Sequence, residues 1–339
     1  MINLMSDTVT KPTADMLKHM FTAEVGDDVF GEDPSVNELQ DRVAKLFGKE
    51  SALFCPSGTM TNQIAIKVHT QALDEVICDH YSHIYQYETG GYAFNSGVAI
   101  NLIEGQYGKV TADQVDKAVK PDYDWLPSTR LVVLENSCNK GGGSYYTKDE
   151  MMEISTVCAK HKLKLHLDGA RLFNVLVETG EHPKDIGSIF DTISICMSKG
   201  LGAPVGSLLI GNTEDIKMAR RYRKVMGGGM RQAGYLAKAC SYALDHHVER
   251  LKIDNDRAKS IGSLLTQLPY ISHVRPVKTN IVIFETTSEE MTVNLIEYLK
   301  TKEILCVQFG PTAIRFVFHL DVADDMIPKI EEALKTFTP

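Results

Sequence analysis

The sequence predicts an α/β protein with a mostly parallel sheet, helices on both faces of that sheet, and a small C-terminal α+β domain. Strand-like and helix-like segments alternate through the first two-thirds of the 339 residues, as in a parallel sheet with right-handed crossovers. A long helical stretch begins near Met218, and after Pro269 the pattern becomes β-α-β-β-α. We therefore expect a large domain over residues 1–245 and a small domain over residues 246–339.

Local signals identify the elements of the large domain in order. Asp33 and Pro34 supply the N-cap and first turn of a helix that runs to about Phe47, where Gly48 ends it. Short apolar runs predict strands, which are SALFCP, DEVICD, VAINLIE, TRLVVLEN, KLKLHLD, DTISICMS and VGSLLIG. Longer periodic runs predict helices, which are SGTMTNQIAIKVHT after an initial turn, TADQVDKAVK and YTKDEMMEISTVCAKHK.

The last third of the chain is predicted to be helical before it becomes a small mixed domain. The helical stretch runs from about Met218 to about Leu268 and is broken near GGGMRQ. After Pro269 the predicted strands are NIVIFE, ILCVQF and AIRFVFHL, and the predicted helices are EEMTVNLIEYLKTK and ADDMIPKIEEALKTF. No long linker or low-complexity segment is visible, so we expect a helix to join the two domains.

Composition limits the class of protein. Hydrophobic residues make up 43% and charged residues 24%, which is ordinary for a soluble globular protein. The formal charge of −8 argues against a general nucleic-acid or anionic-membrane binder. No apolar stretch is long enough to span a membrane, and the first residues lack the features of a secretory signal. The seven cysteines contain no CxxC pair, so we expect reduced thiols and a cytoplasmic location.

Lys199 and Asp168 are the most informative pair of residues in the chain. Asp168 ends the predicted strand KLKLHLD, and Lys199 follows an apolar strand into a glycine-rich turn. Each alone has an ordinary explanation, because aspartate often caps a helix and lysine before glycine is often a solvated cap residue. Together, at the carboxyl ends of strands, they suit pyridoxal phosphate (PLP). A lysine binds the cofactor aldehyde covalently, and a carboxylate keeps the pyridine nitrogen protonated.

A phosphate site is predicted at the segment PSGTMTNQ, which follows a strand and opens a helix. Ser57, Gly58 and Thr59 offer two hydroxyls and free backbone N–H groups at a helix N-terminus. Most turns of this kind are only caps, but a candidate cofactor lysine elsewhere makes a phosphate cradle the better interpretation. Ser198 and Arg231 are further candidate phosphate contacts, and the three glycines of GGGMRQ, which contains Arg231, would let the backbone approach an anion closely.

The segment DHYSHIYQYETGG contributes two histidines, His80 and His83. No carboxylate or thiol at ligand spacing completes a metal site, so we expect no bound metal. His83 is better interpreted as an aromatic ring that stacks on a planar cofactor, with an ordinary surface histidine as the alternative. The sequence has no GxGxxG after a strand, no GxxxxGK[ST] and no GxSxG, which argues against dinucleotide, P-loop and serine-hydrolase chemistry.

Six segments together resemble the low-specificity L-threonine aldolases, which are fold-type-I PLP enzymes related to β-eliminating lyases. These segments are SDTVTKP, VGDDVFGEDP, PSGTMTNQ, HLDGARLFN, SICMSKGLGAPVGSLLIG and GGGMRQAG. The match covers almost the whole chain, and the segments keep the family's order and spacing. The resemblance implies a PLP-dependent transferase-like large domain of the aspartate aminotransferase type. It also implies cleavage of L-threonine or L-allo-threonine to glycine and acetaldehyde, by a dimer-based homotetramer with active sites at subunit interfaces.

The resemblance also implies roles for individual residues. The catalytic residues would be Lys199, which holds PLP, Asp168, which pairs with the ring nitrogen, and His83, which stacks on the ring. Arg231 would reach the phosphate from the neighbouring subunit. The cofactor-binding residues implied in this way are Lys199, Ser57, Gly58, Thr59, His83, Asp168, Arg171, Ser198 and Arg231. The residues that would grip the substrate carboxylate are Ser6, Arg171 and Arg315.

The chain departs from the family pattern near the expected position of the substrate β-carbon. Many relatives have a histidine where this chain has Cys138 in ENSCN, and some have a histidine at the position of Trp125. Phe30 stands where some relatives have tyrosine, and NKGGGSYY is a longer glycine-rich insert than some relatives show. The group that takes the hydroxyl proton is therefore left as His83 or an ordered water, and the preferred substrate could be a bulkier β-hydroxy amino acid.

Three other functions stay open from the sequence. The nearest is a PLP-dependent β-eliminating lyase of the same fold, which would give pyruvate and ammonia instead of glycine and an aldehyde. The second is a cofactor-free binding or assembly subunit, against which the retained Lys199 and Asp168 argue. The third is a metal-dependent aldolase, which sensitivity to a chelator in a colourless protein would support.

Overall fold

A seven-stranded sheet forms the centre of the larger part of the molecule in the computed structural model, which describes residues 1–338. Strand β1 (Ile2–Asn3) lies outside this sheet. The seven strands are β2 (Ser51–Cys55), β3 (Asp74–Asp79), β4 (Ala99–Ile103), β5 (Ser128–Glu135), β6 (Lys164–Gly169), β7 (Thr192–Cys196) and β8 (Ser207–Gly211). They lie in the order β2-β8-β7-β6-β5-β3-β4, and only the pairings of β8 are antiparallel. The predicted α/β fold with a mostly parallel sheet is confirmed.

Ten α-helices among the described residues accompany the sheet in chain order. They are α1 (Ala14–Met20), α2 (Pro34–Leu46), α3 (Gly58–His69), α4 (His83–Gln86), α5 (Ala112–Ala118), α6 (Lys148–His161), α7 (Leu172–Thr179), α8 (Pro183–Ile189), α9 (Thr213–Val225) and α10 (Gly234–His246). Asp33 caps α2 as predicted, because its Oδ1 accepts a hydrogen bond from the Val36 N–H at 3.0 Å. The sequence patterns did not indicate α1, α4, α7 or α8, which have four to eight residues each, whereas the equally short α5 was predicted from TADQVDKAVK, where Thr111 caps it.

The C-terminal part contains a second, antiparallel sheet. Its elements are α11 (Leu251–Leu265), β9 (Ile271–Val274), β10 (Ile281–Thr286), α12 (Glu289–Thr301), β11 (Ile304–Leu305), β12 (Val307–Gln308), β13 (Ala313–Val317) and α13 (Ile327–Thr336). The strand order is β12-β13-β10-β9. The single predicted strand ILCVQF is wrong, because its first half pairs in parallel with β1 and its second half pairs with β13.

The predicted long helix after Met218 is also different in the structure. Three separate helices, α9, α10 and α11, cover this region, and the first begins at Thr213, where the Asn212 side chain provides the cap. Gly227 has a left-handed φ of 83° directly after α9, which ends that helix. The break near GGGMRQ is confirmed, whereas the second break, between α10 and α11, has no glycine or proline to announce it.

The two largest hydrophobic cores correspond to the two parts of the chain. One core packs the central sheet against α2, α6 and α10, and it includes Phe54, Leu134 and Ile195. The other packs α11, α12 and α13 on the antiparallel sheet, and it also contains Ile2 and Leu4 from the N-terminus. The division into domains at residue 245 remains a prediction. Among residues 1–338, no helix combines the length and apolar character needed to cross a membrane.

Candidate active site

A cavity of about 170 Å³ lies at the carboxyl ends of β5, β6 and β7, where open α/β sheets bind ligands. Its lining residues are Thr8, Ser57, Gly58, Thr59, Asn62, His83, Glu135, Asp168, Ala170, Arg171, Cys196, Ser198 and Lys199. The predicted residues Ser6, Arg231 and Arg315 lie outside this lining. A larger groove of about 780 Å³ between α2, α7 and α10 is lined by none of the predicted site residues, so size alone does not identify the site.

Lys199 reaches the cavity from the tight turn between β7 and the antiparallel strand β8. Gly202, with a left-handed φ of 76°, closes this turn by donating its N–H to the Lys199 carbonyl oxygen at 2.8 Å. The lysine side chain is half-buried, and its Nζ makes no hydrogen bond to any described residue. A lysine amine is therefore available at the mouth of a buried strand, where solvation is reduced.

Asp168 lies at the end of β6, in register with Glu135 of β5 and Ser194 of β7. The side chain is buried. Its Oδ2 accepts a hydrogen bond from Asn62 Nδ2 at 2.8 Å, and its Oδ1 accepts one from the Ala170 N–H at 3.2 Å. These two donors fix the carboxylate in one orientation at the cavity wall.

Glu135 is a second buried carboxyl group in the cavity, and the sequence analysis missed it. Its Oε2 accepts the His83 backbone N–H at 2.9 Å, and its Oε1 accepts the Asn139 N–H at 2.8 Å. Burial and then the negative charge of Asp168 raise the pKa of Glu135 to about 7. The signal that could have found it is its place at the carboxyl end of the strand TRLVVLEN, next to the strand of Asp168.

His83 begins the short helix α4 and lines the cavity with its ring. Its Nδ1 lies 2.9 Å from Oε1 of the buried Glu88. Because a carboxylate only accepts, Nδ1 carries the proton and Nε2 of the neutral ring is left as an acceptor. Burial lowers the pKa of His83, but the Glu88 hydrogen bond and nearby carboxylates outweigh it and raise this pKa above its ordinary value.

The ligand atoms of His83, Glu88 and Asp168 lie within 4.8 Å of one another, a grouping that could hold a metal ion. Amide groups already donate to the two carboxylates. Asn62 Nδ2 donates to both of them, and Gln63 Nε2 donates to the second oxygen of Glu88 at 2.6 Å. These contacts give the carboxylates partners without an ion, and we keep the expectation that the site binds no metal.

The N-terminus of α3 supplies free donors at another part of the cavity. Ser57 caps the helix by accepting the Met60 N–H at 3.2 Å. The N–H groups of Gly58 and Thr59 have no partner among the described residues. Two unpaired N–H groups at a helix N-terminus form an anion site. Ser198, whose Oγ lies 3.4 Å from Cys196 Sγ, lines the same cavity.

Arg171 is held by a carboxylate that the sequence analysis did not identify. Its Nε and Nη2 donate to the two oxygens of Asp7, each at 2.7 Å, and both side chains are buried. Its Nη1 makes no hydrogen bond to any described residue and is the part that remains for a ligand. Burial would raise the pKa of Asp7, but Arg171 and, to a smaller extent, Lys199 hold it at about 2.

Arg315 lies on β13 and is anchored beside this pair. Its Nη1 donates to Asn139 Oδ1 and its Nη2 donates to the Met5 carbonyl oxygen, both at 2.9 Å, while its buried Nε has no partner among the described residues. Burial and then the charge of Arg171 lower the pKa of Arg315 to about 10. The two buried guanidinium groups, of Arg171 and Arg315, face the single carboxylate of Asp7. The net positive charge of these three groups suits an anionic ligand.

The two remaining predicted residues lie at the periphery. The Ser6 hydroxyl caps the turn that carries Asp7, where it accepts the Thr8 N–H at 3.2 Å. Arg231 is about half exposed and pairs with Asp27 at 2.6 Å. In a single chain, therefore, neither residue lines the cavity.

The residues that depart from the family pattern also lie outside the cavity of this chain. Cys138 is buried, and its thiol donates to the Glu135 carbonyl oxygen at 3.0 Å. Burial raises the pKa of Cys138 well above its usual range, so the thiol keeps its proton. Trp125 is 77% exposed and stacks on Tyr123, and Phe30 is 73% exposed.

The donor set of this cavity fits pyridoxal phosphate. An unpartnered lysine amine suits the aldehyde, unpartnered N–H groups at the start of α3 suit the phosphate, and the buried Asp168 carboxylate suits a protonated ring nitrogen. An α/β sheet with such a set at the carboxyl ends of its strands defines the class of PLP-dependent enzymes. The chain belongs to the β-eliminating lyase family, whose model matches residues 3–289, and within it to the low-specificity L-threonine aldolases.

Comparisons with known proteins support this assignment over the full chain. The low-specificity L-threonine aldolase of Escherichia coli K12 is 40% identical over 99% of this chain and 99% of its own length. Low-specificity L-threonine aldolase 1 of Arabidopsis thaliana is 37% identical over 94% of this chain and 91% of its own. The solved structure of Leishmania major threonine aldolase covers 99% of both chains with a TM-score of 0.85 at 23% identity. The resemblance and the PLP prediction are confirmed.

Proposed function

We propose that this protein is a PLP-dependent aldolase that cleaves L-threonine and L-allo-threonine between Cα and Cβ, which gives glycine and acetaldehyde. Other β-hydroxy-α-amino acids would give other aldehydes. The observation that carries this proposal is Lys199, whose amine lacks a partner among the described residues in the cavity that also holds the buried Asp168 carboxylate. The full-length similarity to low-specificity L-threonine aldolases of bacteria and plants supports the choice of reaction.

The proposed cofactor contacts follow from the donors in the cavity. Lys199 would hold PLP covalently, Asp168 would accept the ring N–H, and the His83 ring would cover one face of the cofactor. Gly58 and Thr59 would bind the phosphate, together with the hydroxyls of Ser57 and Ser198 and, from a neighbouring subunit, Arg231. When bound, PLP supplies an electron sink that stabilises negative charge on the substrate Cα.

The substrate carboxylate would lie between Arg171 and Arg315. Asp7 occupies two of the donors of Arg171, which leaves Nη1 for the ligand and fixes the plane of the guanidinium group. Ser6 stands on the same turn as Asp7 and would add a hydroxyl contact. A carboxylate fixed in this way sets the rotation about the N–Cα bond of the substrate. The Cα–Cβ bond, and not Cα–H, is then aligned for cleavage.

The β-hydroxyl proton needs an acceptor before the aldehyde can leave. Glu88 holds the proton of His83 on Nδ1, which leaves Nε2 as a basic nitrogen without a partner among the described residues. The raised pKa of His83 makes Nε2 a stronger base. We propose that His83 Nε2 takes this proton directly or through a water molecule. Protonated Cys138 does not serve as this base.

We propose that the protein works in the cytoplasm, in threonine catabolism and glycine formation, as a homotetramer made of two dimers. Exposed aromatic side chains support association, because Phe94 is 90% exposed and Phe30 and Trp125 are exposed too. Arg231, at the periphery of its own chain, would then reach the phosphate in a neighbouring subunit. Light scattering of the purified protein tests this proposal, and a stable monomer that is fully active would contradict it.

The activity is tested with the purified protein and added PLP. We expect a cofactor absorbance band at about 420 nm. With L-threonine or L-allo-threonine we expect acetaldehyde and glycine, whereas pyruvate and ammonia would identify a β-eliminating lyase. Lys199→Ala should abolish both the band and turnover, while the exposed Lys117→Ala should retain both. Full activity in Lys199→Ala, or a protein that binds no PLP, would overturn the proposal.

A further inference from the structure

Asn62 occupies a central position in the cavity that no assigned role explains. It lies in the first turns of α3, is buried, and has a single side-chain amide. That amide nitrogen donates to Asp168 Oδ2 at 2.8 Å and to Glu88 Oε1 at 2.9 Å. One NH₂ group therefore donates both of its protons to carboxylates. Asp168 is the proposed partner of the cofactor ring nitrogen, and Glu88 accepts the Nδ1 proton of His83.

The orientation of this amide is fixed by its neighbours. Both carboxylates can only accept hydrogen bonds, so the NH₂ group of Asn62 must face them and its Oδ1 must point the other way. Asn62 Oδ1 lies 3.2 Å from Nε2 of His166, which is fully buried in β6. Because Oδ1 is an acceptor, His166 Nε2 must carry the proton.

The chain of donors continues away from the cavity. Burial lowers the pKa of His166 to about 4, so the ring is neutral near pH 7 and its Nδ1 is an acceptor. Thr192 Oγ1 lies 2.9 Å from this Nδ1 and must donate its one proton to it. Thr192 Oγ1 also lies 2.9 Å from His69 Nε2, which must then be the donor of that contact. The hydrogen bonds therefore run in one direction, from His69 to Thr192, His166, Asn62 and the two carboxylates.

We propose that Asn62 is a positioning residue for the cofactor, oriented by the buried chain His69–Thr192–His166. It fixes the Asp168 carboxylate relative to the Glu88–His83 pair. Asp168, which would accept the N–H of the cofactor ring, and the His83 ring, which would cover that cofactor, therefore keep a constant distance and orientation. This inference rests on the proposed function, because it needs PLP in the cavity. It assigns a role to three polar residues, His166, Thr192 and His69, that contact neither cofactor nor substrate.

The first test compares PLP with 1-deaza-pyridoxal phosphate, which has carbon in place of the ring nitrogen. Wild-type protein should bind PLP more tightly than the analogue, because only PLP uses Asp168. Asn62→Leu, which has a similar size but no donor, should weaken PLP binding at least tenfold and bring the two dissociation constants close together. The control is Asn101→Leu, which removes an amide on β4 that donates to Glu75 of β3 at 3.1 Å. It should leave the ratio of the two dissociation constants unchanged.

The outcomes of this titration separate the two proposals. A wild-type protein that binds no PLP overturns the proposed function and this inference with it. A wild-type protein that binds PLP, combined with an Asn62→Leu variant that keeps the wild-type ratio of dissociation constants, overturns the inference alone. A purely structural role for Asn62 would weaken both ligands equally and would leave the ratio as it was.

A second test does not require a variant at position 62 to fold. In wild-type holoenzyme labelled with ¹⁵N-histidine, the ring signals of His166, assigned by their loss in His166→Gln, report the tautomer. We expect a proton on Nε2 and none on Nδ1. The opposite tautomer would donate from Nδ1 to the Thr192 carbonyl oxygen, 3.1 Å away, and would leave Nε2 without a proton for Asn62 Oδ1, which would break the chain at Asn62. Its observation would overturn the inference.

Discussion

Single residues in the cavity carry charges that their neighbours control in opposite directions. Asp7 and Glu135 are both buried carboxyl groups, and burial opposes ionisation of each. Arg171 offers Asp7 a two-point hydrogen bond that holds its pKa at about 2. Glu135 has only backbone N–H donors and faces the charge of Asp168, so its pKa rises to about 7. The guanidinium group of Arg171 beside Asp7 and the carboxylate of Asp168 near Glu135 therefore shift the two pKa values in opposite directions.

Glu135 should make the stability of the protein depend on pH. Its folded pKa of about 7 lies above the ordinary value of 4.5, so the folded state binds the proton more tightly between these values. The stability that this proton contributes is complete below pH 4.5 and is lost as pH rises through about 7. We expect Glu135 to contribute a fall in the free energy of unfolding in urea between about pH 5 and about pH 8, and Glu135→Gln to remove that contribution.

The control for this measurement is Glu153→Gln, because Glu153 is exposed on α6. It should show the same dependence of the free energy of unfolding on pH as the wild type. Equal slopes in wild type and Glu135→Gln would show that Glu135 does not titrate in this range.

At the scale of elements, the turn between β7 and β8 places Lys199. The turn is closed by two hydrogen bonds, from the Gly202 N–H to the Lys199 carbonyl oxygen at 2.8 Å and from the Ala203 N–H to the Met197 carbonyl oxygen at 3.0 Å. The left-handed φ of 76° at Gly202 is unfavourable for a residue with a Cβ. The backbone of this turn, and not the side chain of Lys199 alone, therefore decides where the amine lies.

Gly202→Ala should reduce both stability and PLP affinity. The left-handed conformation costs an alanine about 1–2 kcal/mol, and relief of that strain would move Lys199. Gly180→Ala is the matched control, because Gly180 has a φ of 72° at the end of α7, and a Cβ there would meet no atom within 4 Å. Thermal unfolding should show a loss in both variants, whereas a PLP titration should show a loss only in Gly202→Ala. A normal PLP affinity in Gly202→Ala would contradict this account of the turn.

At the scale of the whole molecule, the N-terminal segment connects the two hydrophobic cores across the cavity. Strand β1 pairs with β11, and Leu4 is buried in the C-terminal core. The next residues then return to the cavity, where the Met5 carbonyl oxygen accepts from Arg315 and Asp7 pairs with Arg171. The packing of the C-terminal part and the anchoring of Arg171 and Arg315 therefore depend on the same few residues.

Leu4→Ala should lower stability and weaken substrate binding together. A leucine with no exposed surface, when shortened to alanine, typically costs about 2–5 kcal/mol. The neighbouring Met5 carbonyl anchors Arg315, so we also expect a higher KM for threonine with a smaller change in kcat. Leu17→Ala on α1, where the leucine is 43% exposed, should change neither by a comparable amount. A Leu4→Ala variant with lower stability and an unchanged KM would show that the segment does not position Arg315.

From sequence alone it was possible to predict the α/β fold, the lysine–aspartate pair and the turn before α3 that we propose binds phosphate, because each depends on short local patterns: an apolar strand, a glycine turn or a helix cap. Only the tertiary structure showed that Asp7 holds Arg171, 164 residues away, and that Asn62 joins Asp168 to Glu88. It alone divided ILCVQF between two sheets. Contacts between distant segments follow from how the elements pack, and a local pattern does not encode which buried donor meets which buried acceptor.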